Sequence, residues 1–265
     1  MLPERVKHWG RFAVEPDYRW RHRELKRLRR IPRYTRAATP LLGRRFEMAD
    51  AESFLSMYRD LFERETYRFE CANEDPFIID GGANIGLSVL YFKRLYPRSR
   101  IIAFEPDPEI FSLLERNCTT FELSRVELVN RALWTSETVL KFVQEGGDSG
   151  RLQVDGETGR IIQVSTVRLK NYLRSDIDFL KLDIEGAETE VLRDCANELS
   201  KVGRLLVEYH SFVDRPQTLH EITAIINRAG FRLHIHSLLP SPQPFVERNI
   251  NVGLDFQANI FAFRV

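Results

Sequence analysis

Asp80, Gly82, Asn84 and Gly86 fall in the run Phe77 to Gly86, FIIDGGANIG, where three apolar residues lead into an acid and then a glycine-rich turn. Phe77-Ile78-Ile79 is short and branched, as a buried strand is, whereas Leu87, Leu90, Tyr91 and Leu95 recur at helical spacing. Gly81, Gly82 and Gly86 therefore sit at a strand-to-helix junction, where the backbone can approach a ligand and the helix start offers unpaired N–H groups. The G-x-G-x-x-G frame of a dinucleotide site fails: counted from Gly81 the third residue is Ala83, and counted from Gly82 it is Asn84. An acid before the turn repels a pyrophosphate and suits a ligand with a cationic amino group, which favours S-adenosylmethionine over NAD.

A second strand, Arg100 to Phe104, ends in Glu105, twenty-five residues after Asp80. A carboxylate at this position can accept both hydroxyl hydrogens of a ribose. Pro106 and Pro108 close the strand and open a helix over Glu109 to Thr120. A third strand, Arg125 to Val129, leads to Asn130 and Ala132, where the amide either reaches an adenine edge or caps the turn. A fourth, Phe179 to Leu182, runs into Asp183-Ile184-Glu185-Gly186-Ala187-Glu188, and a fifth, Leu205 to Val207, delivers Glu208, Tyr209 and His210 at its end. Acids and a histidine from separate strand ends converge on one crevice in an open α/β sheet.

The strings FIIDGGANIGLSVLYF, IIAFEPDPEIFSLLERN, FLKLDIEGAETEVL and LLVEYHSF together resemble the FkbM-type S-adenosylmethionine-dependent methyltransferases, over about Phe77 to Val265. The resemblance implies a class I methyltransferase fold and, usually, O-methylation of a hydroxyl on a sugar, glycan, polyketide or other natural product. It carries Asp80, Gly82, Asn84 and Gly86 over as the pocket for the methionine end of the cofactor, and Glu105 as the ribose acid. It gives the positions of Asp183, Glu185 and His210 but not their roles.

Methyl transfer to a hydroxyl needs oxygen, carbon and sulfur in line and a group to take the proton. His210 has the unperturbed pKa for a general base, Glu185 competes for that role, and Asp183 or Glu208 orients the imidazole or the acceptor. Glu208 and Tyr209 are assigned to the substrate. No metal is assigned, because no ligand spacing here is diagnostic, although Asp183, Glu185, Glu188 and His210 are an alternative divalent-cation set. Glu188 and Glu190 also suit the first turn of a helix over Ala187 to Leu199 by charge alone. Gly186 suits the tight turn, His220 a helix surface over Pro216 to Ala229, and His234 and His236 one face of a strand over Phe231 to Ser237. A spacing of two is a weak metal signal.

With the strands read above, the resemblance implies an α/β fold with a seven-stranded, mostly parallel sheet, a final antiparallel strand over Ile260 to Arg264 and helices on both faces. The 265 residues with 43% hydrophobic content suffice for one such domain plus an extension. Cys71, Cys118 and Cys195 form no C-x-x-C pair and indicate buried thiols in a reducing compartment. No apolar run is long enough for a span, and the expected location is cytoplasmic.

The net charge of +1 conceals an asymmetry: residues 1–45 carry fourteen Lys and Arg against four Asp and Glu. This basic arm interleaves Trp20, Leu25, Leu28 and Ile31 with cations. It suits an anionic membrane surface or a phosphate group, or a helix that packs its apolar edge on the acidic remainder or on a second copy of the chain. Nothing else points to nucleic acid. Residues 46–76 form a helical cover in which Asp50 caps a helix with an apolar stripe of Phe54, Met57, Tyr58, Leu61 and Phe62, and residues 77–265 form the cofactor-binding domain. Leu140 to Val143, Arg151 to Val154 and Ile161 to Val164, separated by glycines, suggest an inserted β-meander with Asp148 and Ser149 at its tip. Leu238 to Asp255, with three prolines, suits a long loop that walls an acceptor site. Two other functions fit less well: a nicotinamide oxidoreductase, against which Asp80 and the glycine frame stand, and a noncatalytic S-adenosylmethionine binder, which needs no acid and histidine cluster.

Overall fold

The computed structural model describes residues 16–144, 150–152, 160–247, 250 and 253–264. The elements that build the site are α1 (Pro16–Leu28), β1 (Ala37–Thr39), β2 (Phe46–Met48), α2 (Ala51–Tyr58), β3 (Phe77–Gly81), α3 (Leu87–Leu95), β4 (Arg100–Phe104), α4 (Pro108–Thr120), β5 (Val126–Val129) and β6 (Ala132–Trp134). They continue with β7 (Val139–Gln144), β8 (Gly150–Leu152), β9 (Arg160–Arg168), β10 (Phe179–Leu182), α5 (Glu188–Asp194), β11 (Arg204–Phe212), α6 (Leu219–Arg228), β12 (Arg232–Ser237) and β13 (Leu254–Phe263).

Seven strands pair in the order β12-β13-β11-β10-β3-β4-β5, and only β13 runs antiparallel to its neighbours. Consecutive residues of the central strands point to opposite faces, and both faces are dry. Ile78, Ile101, Phe179 and Leu206 join the core beneath α1 to α4, while Ile79, Ile102, Leu180 and Leu205 join the core beneath α5 and α6. The chain leaves β3 toward β4 on one side and later returns as β10 on the other. That reversal opens a crevice at the carboxyl ends of β3 and β10, where open α/β sheets bind ligands.

Three expected elements change length for one physical reason. Strand β11 continues through Glu208, Tyr209 and His210 to Phe212, and β13 begins at Leu254 rather than Ile260, because the two pair along their whole length. Their polar side chains face a cavity rather than solvent, so the alternation lacks an apolar repeat. The loop before β13 is correspondingly shorter than Leu238 to Asp255. The helix expected over Ala187 to Leu199 ends at Asp194, with a separate 3₁₀ turn at Glu198–Lys201. The inserted meander is a four-stranded sheet, β6-β9-β7-β8, joined by the unexpected β6. Asp148 and Ser149 lie outside the described residues.

The arm is continuous with the domain from α1 onward. Leu28 is fully buried beside Phe46, Met48 and Phe54, and the β1–β2 hairpin spans the expected boundary at residues 45 and 46. Arg21 pairs with Glu63 and Arg36 with Glu109, so part of the basic charge meets acids of the domain. Asp50 caps α2 as expected, accepting from the Ser53 amide at 3.0 Å. Among the described residues, no helix is long and apolar enough to cross a membrane.

Candidate active site

Gly82 fixes the crevice. Its φ is +83°, and a Cβ there would lie 1.8 Å from the carbonyl oxygen of Asp183, so only glycine lets the turn after β3 lie against the end of β10. Gly86 caps α3 at φ +88°, where a Cβ would meet a Leu114 methyl at 2.7 Å. Asn84 and Glu185 adopt positive φ angles of 50° and 55° without being glycine, a local strain that a site-forming loop carries.

Asp80 is not at the surface of the crevice. It is fully buried, accepts from the Ser88 hydroxyl at 2.5 Å and pairs with Lys181 Nζ at 3.3 Å. The cationic partner expected for it in a ligand is thus supplied by the protein. Lys181 itself is 3% exposed; it also reaches Asp183 at 3.2 Å and donates to the Gly82 carbonyl at 2.8 Å, tying β3 to β10. Burial lowers its pKa, but Asp183 and Asp80 outweigh that and hold it well above the ordinary lysine value. The sequence signal for Lys181, which sequence reasoning missed, is a lone lysine inside the apolar strand Phe179–Leu182. Gly81 lines neither cavity at these strand ends; a Cβ there would meet Leu133 at 2.8 Å and Leu182 at 3.1 Å.

Two cavities meet over these strand ends. The first is a narrow groove that takes in Gly82, Asn84, Glu105, Ala132 and Asp183, with Ile110, Leu133 and Phe142 as apolar walls. Glu105 is 7% exposed and accepts from the amides of Asn84 at 3.0 Å and Asp107 at 2.9 Å. Desolvation pushes its carboxyl up to about 8 despite those two bonds. Asn130, by contrast, donates its side-chain nitrogen to the backbone oxygens of Glu105 and Pro106 at 2.8 and 3.1 Å. It acts as the cap that holds Glu105 in place and is absent from the groove wall. Phe142 comes from the inserted sheet, a contribution the sequence did not single out.

The second cavity, of about 360 Å³, lies between α2, β11 and β13 and is lined by Met57, Tyr67, Lys181, Glu208, His210 and Gln257 among others. Glu208 and His210 point into it from alternate positions of β11. Tyr209, between them, points the other way: it is 2% exposed in the opposite core, and its hydroxyl accepts from the Thr218 amide at 2.8 Å. It thus packs away from this cavity, because successive strand residues face opposite sides. Tyr67, from the segment after α2, was missed by sequence reasoning; only the three-dimensional fold brings it beside Lys181.

His210 lies at the centre of a charged cluster. Its Nδ1 is 3.1 Å from Glu188 Oε1, which also accepts from the amides of Ile184 and Gly186 at 3.2 and 3.0 Å. Glu188, 1% exposed, is therefore a keystone of the loop as well as a first-turn acid. The Nε2 atom lies 3.5 Å from Glu185, 3.9 Å from Glu208 and 4.0 Å from Asp183. Burial depresses the imidazole pKa, but Glu185, Glu188 and Glu208 outweigh it and raise it well above the ordinary value. The three carboxylates thus favour the imidazolium form of His210. Burial and Asp183 push Glu208 up to about 8, and Gln257 donates to it at 2.6 Å. Asp183, Glu185 and His210 offer ligand atoms within 4.8 Å of one another, and a divalent cation there would have to displace that imidazole proton.

Residues 80–233 match the model of the methyltransferase FkbM domain. The chain belongs to the FkbM methyltransferase family. Its cofactor is S-adenosylmethionine. Methyltransferase sdnD of Sordaria araneosa is 31% identical over 217 residues, which cover 66% of this chain and 81% of that one. The 2-O-methyltransferase NoeI of Sinorhizobium fredii is 27% identical over 51% of this chain and 63% of its own length. The crystal structure of methyltransferase FkbM from Methylobacillus flagellatus aligns with a TM-score of 0.50 at 17% identity, over 77% of this chain and 47% of that one, which is a likeness of fold. This chain spans about half the length of that protein. Family membership removes the nicotinamide alternative. The residues fit the cofactor: the buried Glu105 carboxyl, flanked by the apolar walls, would accept from ribose hydroxyls, and Asp183 and Glu185 in the same groove would supply anions to a sulfonium and an ammonium.

Proposed function

We propose that this FkbM-family protein transfers a methyl group to a hydroxyl of a small sugar, glycan or natural-product acceptor held in the cavity between α2, β11 and β13. The supporting observation is that the cofactor groove and this cavity share Gly82, Asn84, Asp183 and Glu185. Reacting groups on the two sides therefore meet at those four residues. The 2-O-methyltransferase relative supports oxygen as the methylated atom.

S-adenosylmethionine supplies an electrophilic methyl group on a sulfonium. Glu185 would accept the proton of the acceptor hydroxyl as its oxygen bonds to the methyl carbon and the carbon–sulfur bond breaks to leave the neutral thioether S-adenosylhomocysteine, and His210 holds that carboxylate in place at 3.5 Å. Asp183 is fixed by Lys181, and Glu208, with its raised pKa, keeps a hydrogen to offer an acceptor oxygen. Glu185→Gln should lower turnover by ~10²-fold or more. The deciding experiment supplies labelled S-adenosylmethionine and a panel of hydroxyl-bearing sugars and natural products, with mass spectrometry of the products. Methylation confined to nitrogen or carboxylate oxygen would remove the reading.

A further inference from the structure

The acceptor cavity does not end at β13. A second recess of about 400 Å³, between the turn after α2 and the outer face of β12 and β13, shares Asp60, Leu238 and Asn259 with it. Asn259 is 7% exposed, lies opposite Glu208 in the β11–β13 register and opposite His236 in the β12–β13 register, and so stands between the two compartments. Its side-chain oxygen has no hydrogen-bond partner among the described residues. A buried acceptor left unpaired is unfavourable, so a ligand donor at this point is favoured.

The outer recess has its own chemistry. His234 and His236 share one face of β12, with their Nε2 atoms 2.7 Å apart, and both rings pack near Phe261 at 6.3 and 5.3 Å. On the facing wall Asp60 and Arg64 pair at 2.8 Å and so neutralise one another, next to Thr66. The recess thus offers an aromatic surface, hydroxyl and imidazole hydrogen-bonding groups and a balanced charge. Among the described residues that line it, the two carrying formal charge, Asp60 and Arg64, are matched to one another, whereas a neutral polyhydroxylated ring finds both a flat face and polar edges.

We propose that the outer recess is a second acceptor subsite, which holds a neutral sugar ring attached to the unit being methylated, and that Asn259 accepts a hydrogen bond from a hydroxyl at the junction. The assignment rests on the O-methyl reading above and adds to it the size of the acceptor: more than one ring. His234 and His236 are the positioning residues of the outer unit.

The protein saturated with S-adenosylhomocysteine is titrated with the methyl glycosides of glucose, mannose and rhamnose and with disaccharides that extend each, followed by saturation-transfer NMR. In at least one series the disaccharide should bind about tenfold tighter, which corresponds to about 1.4 kcal/mol. Asn259→Leu and His234→Ala/His236→Ala should abolish that advantage while the affinity for S-adenosylhomocysteine and the thermal midpoint stay as in the parent. Equal affinity for one and two rings, or an advantage that survives Asn259→Leu, would overturn the subsite. If no sugar binds while another hydroxyl compound is methylated, the subsite falls and the O-methyl reading stands. If no hydroxyl of any compound is methylated, both fall.

Discussion

His210 and Glu188 meet at 3.1 Å with both side chains almost wholly removed from solvent, and that contact joins Glu185 and Glu208 in raising the imidazole pKa. The imidazole should therefore titrate well above 6.5, its unperturbed value, when followed by NMR. Replacing Glu188 by Gln keeps the shape and removes one of the anions, so the midpoint should move down. An unshifted midpoint in Glu188→Gln would show that Glu185 and Glu208 suffice.

Glu105 gives cofactor binding a pH dependence. Its carboxyl lies at about 8 in the protein alone, and ribose hydroxyls donate to the ionised form. Ligand binding therefore expels a proton below that value. Calorimetry should show the affinity for S-adenosylhomocysteine falling as pH drops below about 8, by up to about tenfold per unit. Glu105→Gln should bind more weakly and lose this slope; a slope that persists would assign it to another group.

Lys181 and Asp80 form a buried ion pair, Asp80 wholly enclosed and Lys181 3% exposed. Removing one partner leaves a buried charge, and Lys181→Met should cost about 3–5 kcal/mol in denaturant unfolding. Combining it with Asp80→Asn should recover much of that loss. Purely additive single effects would mean that the two residues act independently.

Gly82 and Gly43 both have positive φ but differ in surroundings. A Cβ at Gly82 would strike the Asp183 carbonyl, whereas one at Gly43 meets nothing within 4 Å. Gly43→Ala should cost about 1–2 kcal/mol from backbone strain alone. Gly82→Ala should cost more and also abolish S-adenosylhomocysteine binding, since it forces β3 and β10 apart. Equal thermal shifts in the two variants would contradict the close approach.

The parts of this fold that were legible in the sequence are those where burial and pattern agree. Phe77-Ile78-Ile79 and Arg100 to Phe104 read as strands because both faces are dry, and Asp50 reads as a cap because an apolar stripe follows it. The candidate site was legible where backbone geometry demands a residue type, as at Gly82, or where a strand ends in an acid, as at Glu105. It was obscured where polar residues face an internal cavity. Glu208, His210, Gln257 and Asn259 interrupt the apolar repeat of β11 and β13, so the strands looked short and Tyr209 was grouped with its neighbours in sequence rather than with its own face. Charge compensation was equally hidden: the buried lysine that neutralises Asp80 lies a hundred residues away, and no local pattern links them.

The family-wide match begins at residue 80 and ends at residue 233, yet α2 and β13, two walls of the acceptor cavity, lie outside it. The third wall, β11 with Glu208 and His210, lies inside it, so the proposed acceptor site is closed from both stretches of the chain. An engineer who grafts another protein's flanking segments onto this sheet would change two of its walls and keep the third.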